Sequence, residues 1–196
     1  HGHGSQIMTA AYIPWIILFL FRIHIKNNIK DYCILSILIG MQLLRGHIQI
    51  VYYTWMMIGL YTIISIFFNL SFIKGNLKKY FYNQFVILSS ILIGFLTSLS
   101  IYLPILNYSK LSTRGSDIGG IGIEKATQWS LNINEITTFI LPHAYGFGGK
   151  GYWGYLPFTD FPNYLGIIVL LFALLGVYHS EIKKEYKIFF IATAIL

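Results

Sequence analysis

Long apolar stretches separated by short polar turns dominate the pattern of this chain. A membrane-spanning helix needs roughly 20 mostly apolar residues, and five stretches approach that length while a sixth is only begun. The predicted spans are 7–21, 32–44, 48–70, 82–106, 164–178 and 188–196, the last of them truncated. The pattern predicts an all-α polytopic membrane protein in which residues 1–196 form one transmembrane domain. Because the sixth span is cut short, we expect the chain to be a fragment of a longer protein.

One long polar segment interrupts this pattern. Residues 107–161 form a loop of about 55 residues that is rich in glycine and aromatic side chains. Long ordered loops are more often functional than incidental. We therefore expect this loop to carry most of a functional site.

The fourth predicted span carries a stripe of small residues. Ser90, Gly94 and Ser98 repeat at positions i, i+4 and i+8. Such a stripe allows two helix backbones to approach closely. It favours plain helix packing over a ligand site.

Composition and charge agree with a membrane protein. The chain is 56% hydrophobic and only 11% charged, whereas soluble domains carry about 25% charged residues. Nine of its fourteen basic residues lie in three short turns, at 22–30, 74–79 and 183–187. This positive-inside pattern argues against a nucleic-acid partner and predicts that these turns face the cytoplasm. The loop at 107–161 is then extracytoplasmic, and the lipid bilayer is the first expected partner.

The second and third spans are joined by the turn Arg45-Gly46-His47. From Lys30 to His47 a helix rises roughly 25 Å at about 1.5 Å per residue, less than the hydrocarbon thickness of about 30 Å. Arg45, His47 and Gln49 are therefore expected to be recessed, where polar groups need a cavity or partners. Two interpretations stay open: contacts to a phosphate or sugar, or a helix cap beside a snorkelling arginine.

Two groups in the loop suit a phosphate-linked sugar. Arg114 lies among hydroxyl residues and glycine at 112–117, and a guanidinium forks well onto phosphate. Gln128 and Trp129, followed by Glu135, combine an aromatic face with amide and carboxylate groups, as sugar sites do. The alternatives are a solvated turn at Arg114 and an interfacial anchor at Trp129. Glu135 is also a weak candidate for a general acid or base.

Histidine and glycine supply the remaining candidates. His143 precedes the run 146–154, which holds five glycines and Lys150. The run lacks the P-loop and dinucleotide signatures, so it is either a phosphate cradle or a flexible lid. No cofactor is certain, although His1 and His3 make a divalent cation a weak candidate.

The motifs, taken in order, resemble one family. The segments that carry the likeness are GHGSQIMTAAYIPW (2–15), GHIQIVYYTW (46–55), LSTRGSD (111–117), ATQWS (126–130), LPHAYGFGG (141–149), YWGYLPFT (152–159) and FPNYLG (161–166). They resemble the YfhO-type family of bacterial multipass membrane proteins over essentially the whole chain. The candidates that fall on matching motif positions are His3, His47, Gln49, Arg114, Gln128, Trp129, Glu135 and His143. The chain departs from the family's approximate PN-x-YGG at 142–148, which weakens the case for His143.

The resemblance implies a glycosyltransferase-C-like helical bundle in the bacterial inner membrane. Such proteins transfer a sugar from a polyprenyl-phosphate carrier to a cell-envelope polymer or lipid on the outer face. The family's catalytic acidic residue is expected in a first outer loop, upstream of residue 1. Two alternatives remain: a flippase for lipid-linked glycans, and a non-catalytic envelope-assembly protein. A transporter should show inverted repeats and broken helices near the midplane, whereas the polar elements here are predicted at the outer face.

Overall fold

The structure is helical. The computed structural model describes residues 4–26, 28–68, 75, 77–109, 130–146, 149–156 and 163–195. Within these ranges the β-type pairing is limited to an isolated bridge between Ala144 and Gly146. The α-helices are α1 (Gly4–Ala10), α2 (Ile13–Lys26), α3 (Ile29–Leu43), α4 (Ile48–Phe68), α5 (Leu77–Ser109), α6 (Ile167–Tyr178) and α7 (Lys184–Ile195), with 3-10 helices at Ile133–Phe139 and Gly149–Gly151. The all-α prediction is confirmed for this part of the chain.

Three helical stretches of the described chain are long and apolar enough to cross a membrane. They are Gly4–Lys26, Ile48–Phe68 and Leu77–Tyr108. The predicted spans at 32–44 and 164–178 correspond to helices of 15 and 12 residues. At about 1.5 Å per residue these rise roughly 22 and 18 Å, short of a hydrocarbon core of about 30 Å.

The chain divides into two compact units. The helical unit comprises His1–Tyr108 and Lys184–Leu196, and therefore holds α1 to α5 and α7. The loop unit comprises Ser109–Lys183 and holds the two 3-10 helices and α6.

The first predicted span, 7–21, consists of two helices. A turn at Ala11 and Tyr12 separates α1 from α2. Pro14 follows in the first turn of α2, where its missing N–H breaks no helical hydrogen bond. In one continuous helix its ring would clash with the carbonyl of Ala10, four residues earlier, so the break has a steric cause.

An ion pair fixes the connection between α2 and α3. Arg22 contacts the Asp31 Oδ1 atom through Nη2 at 3.0 Å and through Nε at 3.1 Å. Asn28 caps α3 by accepting a hydrogen bond from the Lys30 N–H at 3.1 Å. Asp31 is 1% exposed, and its charge is favoured in the first turn of a helix. The two helices are thereby joined at their basic end.

The core of the helical unit lies among α2, α3 and α4. Its fully buried apolar side chains recur three or four positions apart, as one face of a helix requires; they are Ile16, Leu20, Ile23, Leu35 and Ile39. The helix α7 adds Phe189, whose ring centroid lies 5.4 Å from that of Tyr61 and 5.6 Å from that of Phe21. Aromatic pairs at these distances stabilise the contact beyond their buried area.

The small-residue stripe packs α5 against α3. A Cβ atom on Gly94 would lie 2.7 Å from Ile39 Cγ2 and 3.0 Å from the Gly40 backbone nitrogen. Ser90 and Ser98 are buried on the same stripe. The predicted close helix packing is confirmed, and Gly94 is the position at which it is tightest on the α5 side.

Gly94→Ala should therefore destabilise the helical unit. The added methyl group has no space, and overpacking typically costs about 1–3 kcal/mol. Gly59→Ala is the matched control, because a Cβ atom at Gly59 meets nothing within 4 Å and alanine favours a helix. Unfolding in mixed micelles, followed by circular dichroism, measures both variants. Equal stability of the two would contradict the close approach.

Candidate functional site

The turn between α3 and α4 depends on a glycine. Gly46 has φ of 75°, a left-handed conformation that side chains rarely adopt. Its N–H donates to the Leu43 carbonyl at 3.0 Å, which closes the end of α3. The turn thereby sets Arg45 and His47 between two helices.

Arg45 and Gln49 each bind a tyrosine hydroxyl. Arg45 Nη2 donates to Tyr12 Oη at 3.1 Å, and its guanidinium lies 5.9 Å from the centre of the Tyr12 ring. Gln49 Nε2 donates to Tyr53 Oη at 3.0 Å, which confirms that these two residues share a face of α4. Both Arg45 and Gln49 are exposed. A guanidinium carries five N–H donors, so Arg45 keeps donors for another acceptor.

His47 does not cap α4 with its side chain. Its carbonyl oxygen accepts from the Val51 N–H at 3.4 Å, so the backbone supplies that contact. Its Nδ1 atom is buried and has no hydrogen-bond partner among the residues that the structure describes. The imidazole therefore offers a polar atom that the protein around it leaves unpaired.

A buried amide lies one turn of helix before Arg45. Gln42 is 0% exposed, and its Nε2 donates to the Thr9 carbonyl at 3.2 Å and to Thr54 Oγ1 at 2.9 Å. One side chain of α3 thereby bonds to both α1 and α4. A glutamine inside a predicted span is the signal for this residue in the sequence, since a polar group at membrane depth needs partners.

Glu135 organises the loop unit. Asn132 caps the 3-10 helix that carries it, accepting from the Asn134 N–H at 3.0 Å. Glu135 is 2% exposed. Its Oε1 atom accepts hydrogen bonds from the Tyr152 hydroxyl and from the Tyr155 N–H, the latter at 2.6 Å. The carboxylate thus fastens the 3-10 helix to residues 17 and 20 positions later.

Tyr152 connects the carboxylate to the backbone. Its hydroxyl donates to Glu135 and accepts from the Leu156 N–H at 2.9 Å. Burial raises the pKa of Tyr152 above its ordinary value of 10.0, and the hydrogen bond to the carboxylate raises it further.

Two glycines of the predicted phosphate cradle are needed for packing. Gly146 has φ of 84°, and a Cβ atom there would collide with the Gly151 carbonyl. A Cβ atom on Gly154 would collide with the Glu135 carboxylate and the Tyr152 hydroxyl. The glycines at these positions allow the chain to close around Glu135.

Three aromatic side chains of the loop unit lie close together. The Tyr145 ring lies 4.8 Å from that of Trp153 and 6.2 Å from that of Tyr155. The Trp153 N–H of the backbone donates to the Tyr145 carbonyl at 3.0 Å. Trp153 and Tyr155 are nevertheless 68% and 62% exposed. We call Tyr145, Trp153 and Tyr155 the aromatic surface; the YWGY motif was its signal in the sequence.

The predicted site residues fall into three groups. Arg45, His47 and Gln49 lie in the helical unit, and Glu135 and the exposed His143 lie in the loop unit. The residues outside the described ranges are His1, His3, Arg114, Gln128 and Trp129. Among the described residues, the structure brings together no group of three or more histidine, cysteine, aspartate or glutamate side chains that would hold a metal ion.

Tyr152→Phe should loosen the loop unit. The substitution takes a hydrogen bond from a buried carboxylate and an acceptor from Leu156, a loss of about 1–3 kcal/mol. Hydrogen exchange of the 149–156 peptide should accelerate in this variant. In the matched control Tyr155→Phe it should not, since Tyr155 bonds to Glu135 through its backbone and its hydroxyl makes only an exposed contact of 3.4 Å with Asn134.

The Tyr152 contribution should also depend on pH. A pKa that is higher in the folded state stabilises the fold fully below pH 10, and this stabilisation is lost as pH rises further. The difference between the wild type and Tyr152→Phe should shrink above pH 10. A difference that stayed constant to pH 11 would contradict the hydrogen bond.

Comparisons with known proteins identify no family for this chain. No protein-family model, curated protein sequence or solved structure matches the chain.

Proposed function

We propose that the chain is the membrane-embedded part of a YfhO-type, glycosyltransferase-C-like enzyme. It transfers a sugar from a polyprenyl-phosphate carrier to a cell-envelope polymer or lipid at the outer face of the bacterial inner membrane. The observation that carries the proposal is the aromatic surface of the loop unit. Sugar rings bind through their CH faces to exposed aromatic rings, and the Glu135 carboxylate holds the backbone of the segment that carries Trp153 and Tyr155.

The sugar and the phosphate have separate partners in this proposal. Trp153 and Tyr155 pack against the sugar ring, and Gln128 and Trp129 are further candidates for sugar contacts. Arg114 pairs with the carrier phosphate through its planar fork of donors. It also stabilises the charge that develops on the phosphate as the sugar leaves.

In the helical unit, the polar cluster of Arg45, His47 and Gln49 at the turn between α3 and α4 is a separate candidate for contacts to a phosphate or sugar. Arg45 is bound to the neutral hydroxyl of Tyr12 and keeps its charge available. The neighbouring residue His47 holds a buried ring nitrogen, Nδ1, that has no partner in the described part of the chain. Gln49 is the third member of the cluster, and its Nε2 donates to the Tyr53 hydroxyl.

Glu135 has a positioning role and takes part in no proton transfer. Its carboxylate is buried, and one oxygen accepts two hydrogen bonds from the chain itself. A general base must reach the proton that it removes. His143 is exposed in the same unit, and we assign it no chemical step.

In the full-length protein, Arg114→Ala should lower kcat for sugar transfer. Loss of a charged group that stabilises the transition state costs roughly 10²- to 10³-fold. Arg114→Lys should recover part of the activity, because it restores the charge without the fork. The assay supplies membranes with radiolabelled polyprenyl-phosphate-linked glucose, galactose and N-acetylglucosamine. Lys183→Gln removes a charge from the predicted cytoplasmic turn and should transfer sugar at the wild-type rate.

Trp153→Ala should raise the KM for the sugar donor or acceptor roughly tenfold, the equivalent of about 1.4 kcal/mol. Thermal unfolding should stay unchanged, because the ring is mostly exposed. Trp15→Ala is the matched control, since Trp15 is similarly exposed on α2. Unaltered KM in Trp153→Ala would remove the aromatic surface from the sugar site.

The same membranes distinguish the enzyme from a flippase. A flippase would move the labelled lipid across the bilayer without attaching its sugar to an acceptor. Translocation with no glycosylated product would therefore replace the present proposal.

A further inference from the structure

An apolar groove lies between α4 and α5 in the helical unit. Its volume is about 750 Å³, within the range of roughly 300–1,000 Å³ that ligand sites occupy. It follows α4 from Trp55 to Ile66 and α5 from Tyr80 to Ile91. Eleven residue steps correspond to about 16 Å along a helix. The groove is thus elongated, and it runs beside two helices that are long and apolar enough to cross a membrane.

Two hydrogen-bond donors in the groove lack partners. Trp55 and Tyr80 both line it. The indole Nε1 atom of Trp55 and the hydroxyl of Tyr80 are buried, and neither has a hydrogen-bond partner in the described part of the chain. An unpaired polar group in apolar surroundings is costly. Both side chains are only half-buried, so a ligand in the groove would contact them.

The Tyr80 end of the groove is basic. Lys78 and Lys79 precede Tyr80 in the first turn of α5, and both are exposed. The residues that line the groove include no aspartate or glutamate. The first turn of a helix also favours an anion. An anion at this end would therefore lie beside two exposed lysines in the first turn of α5.

We propose that the groove binds an acyl chain of an anionic phospholipid, with the lipid phosphate at Lys78, Lys79 and Tyr80. The lipid chain lies along Gly59 and Ile63 of α4. The phosphate belongs to the leaflet at the basic end of the helices. This site is independent of sugar transfer, and it requires neither Arg114 nor the aromatic surface.

Fluorescence quenching of Trp55 tests the site directly. The protein carries Phe in place of Trp15, Trp129 and Trp153, so that Trp55 is its remaining tryptophan. It is reconstituted into phosphatidylcholine nanodiscs that contain increasing fractions of brominated phosphatidylglycerol or brominated phosphatidylcholine. Brominated phosphatidylglycerol should quench Trp55 at a lower lipid fraction than brominated phosphatidylcholine. The two fractions should differ by on the order of fivefold for each lysine at the surface.

Filling the groove should abolish this preference. Gly59 lines the groove, and a Cβ atom there meets nothing within 4 Å, so Gly59→Leu adds bulk without a backbone clash. Gly176→Leu is the matched control, because Gly176 is equally open in the apolar helix α6. It should leave the quenching unchanged.

Charge removal tests the headgroup contact separately. Lys78→Gln with Lys79→Gln should make the two brominated lipids equivalent. Lys26→Gln with Lys30→Gln removes the same charge from the turn between α2 and α3 and should preserve the preference.

Three results would overturn the proposal. The first is equal quenching of the wild type by both lipids, and the second is wild-type quenching in Gly59→Leu. The third is a dimeric wild type and a monomeric Gly59→Leu variant, neither of which prefers phosphatidylglycerol. That result would assign the groove to a second copy of the chain. Circular dichroism of each variant verifies that it is folded.

Discussion

The amide of Gln42 is the contact on which the arrangement of the first helices depends. A polar side chain within apolar helices is stable only when its hydrogen-bonding groups find partners. Gln42 finds them on α1 and on α4 at once, through the Thr9 carbonyl and the Thr54 hydroxyl. The amide selects one register, and the turn that carries Arg45 and His47 follows directly from it.

The loop unit meets the same constraint with a charge instead of an amide. Glu135 is buried, so its carboxylate must be paired by donors that the chain itself brings. The donors come from Tyr152 and Tyr155, and Gly154 is required for them to approach. A consequence is that Trp153, between the two tyrosines, has a fixed backbone although its ring is exposed. Burial of one polar group therefore makes a neighbouring surface rigid, and binding to a rigid surface costs less conformational entropy.

Much of the helical architecture could be predicted from the sequence, because apolar runs and their punctuation are local signals. The small-residue stripe through Gly94 is one such signal. It packs closely against α3 because glycine has no side chain. Pro14 is also a local signal. The helix break beside it is missed when only hydrophobicity is counted, because the apolar run continues through it. The hydrogen-bond partners of Glu135 were beyond reach, since they lie 17 and 20 positions later and nothing local indicates them.

Unpaired polar atoms occur here on two kinds of residue: one that is enclosed in the core and others that line an open groove. Gln42 leaves its Oε1 atom unpaired, but the residue is fully enclosed and two good hydrogen bonds offset the loss. Trp55 and Tyr80 gain no such compensation from their unpaired groups, and both line an open groove. The difference lies in the residues: Gln42 is enclosed on all sides, whereas Trp55 and Tyr80 are half-buried and line a groove that a bound molecule can fill. For this reason the groove between α4 and α5, and not the more deeply buried amide, is where a lipid is expected.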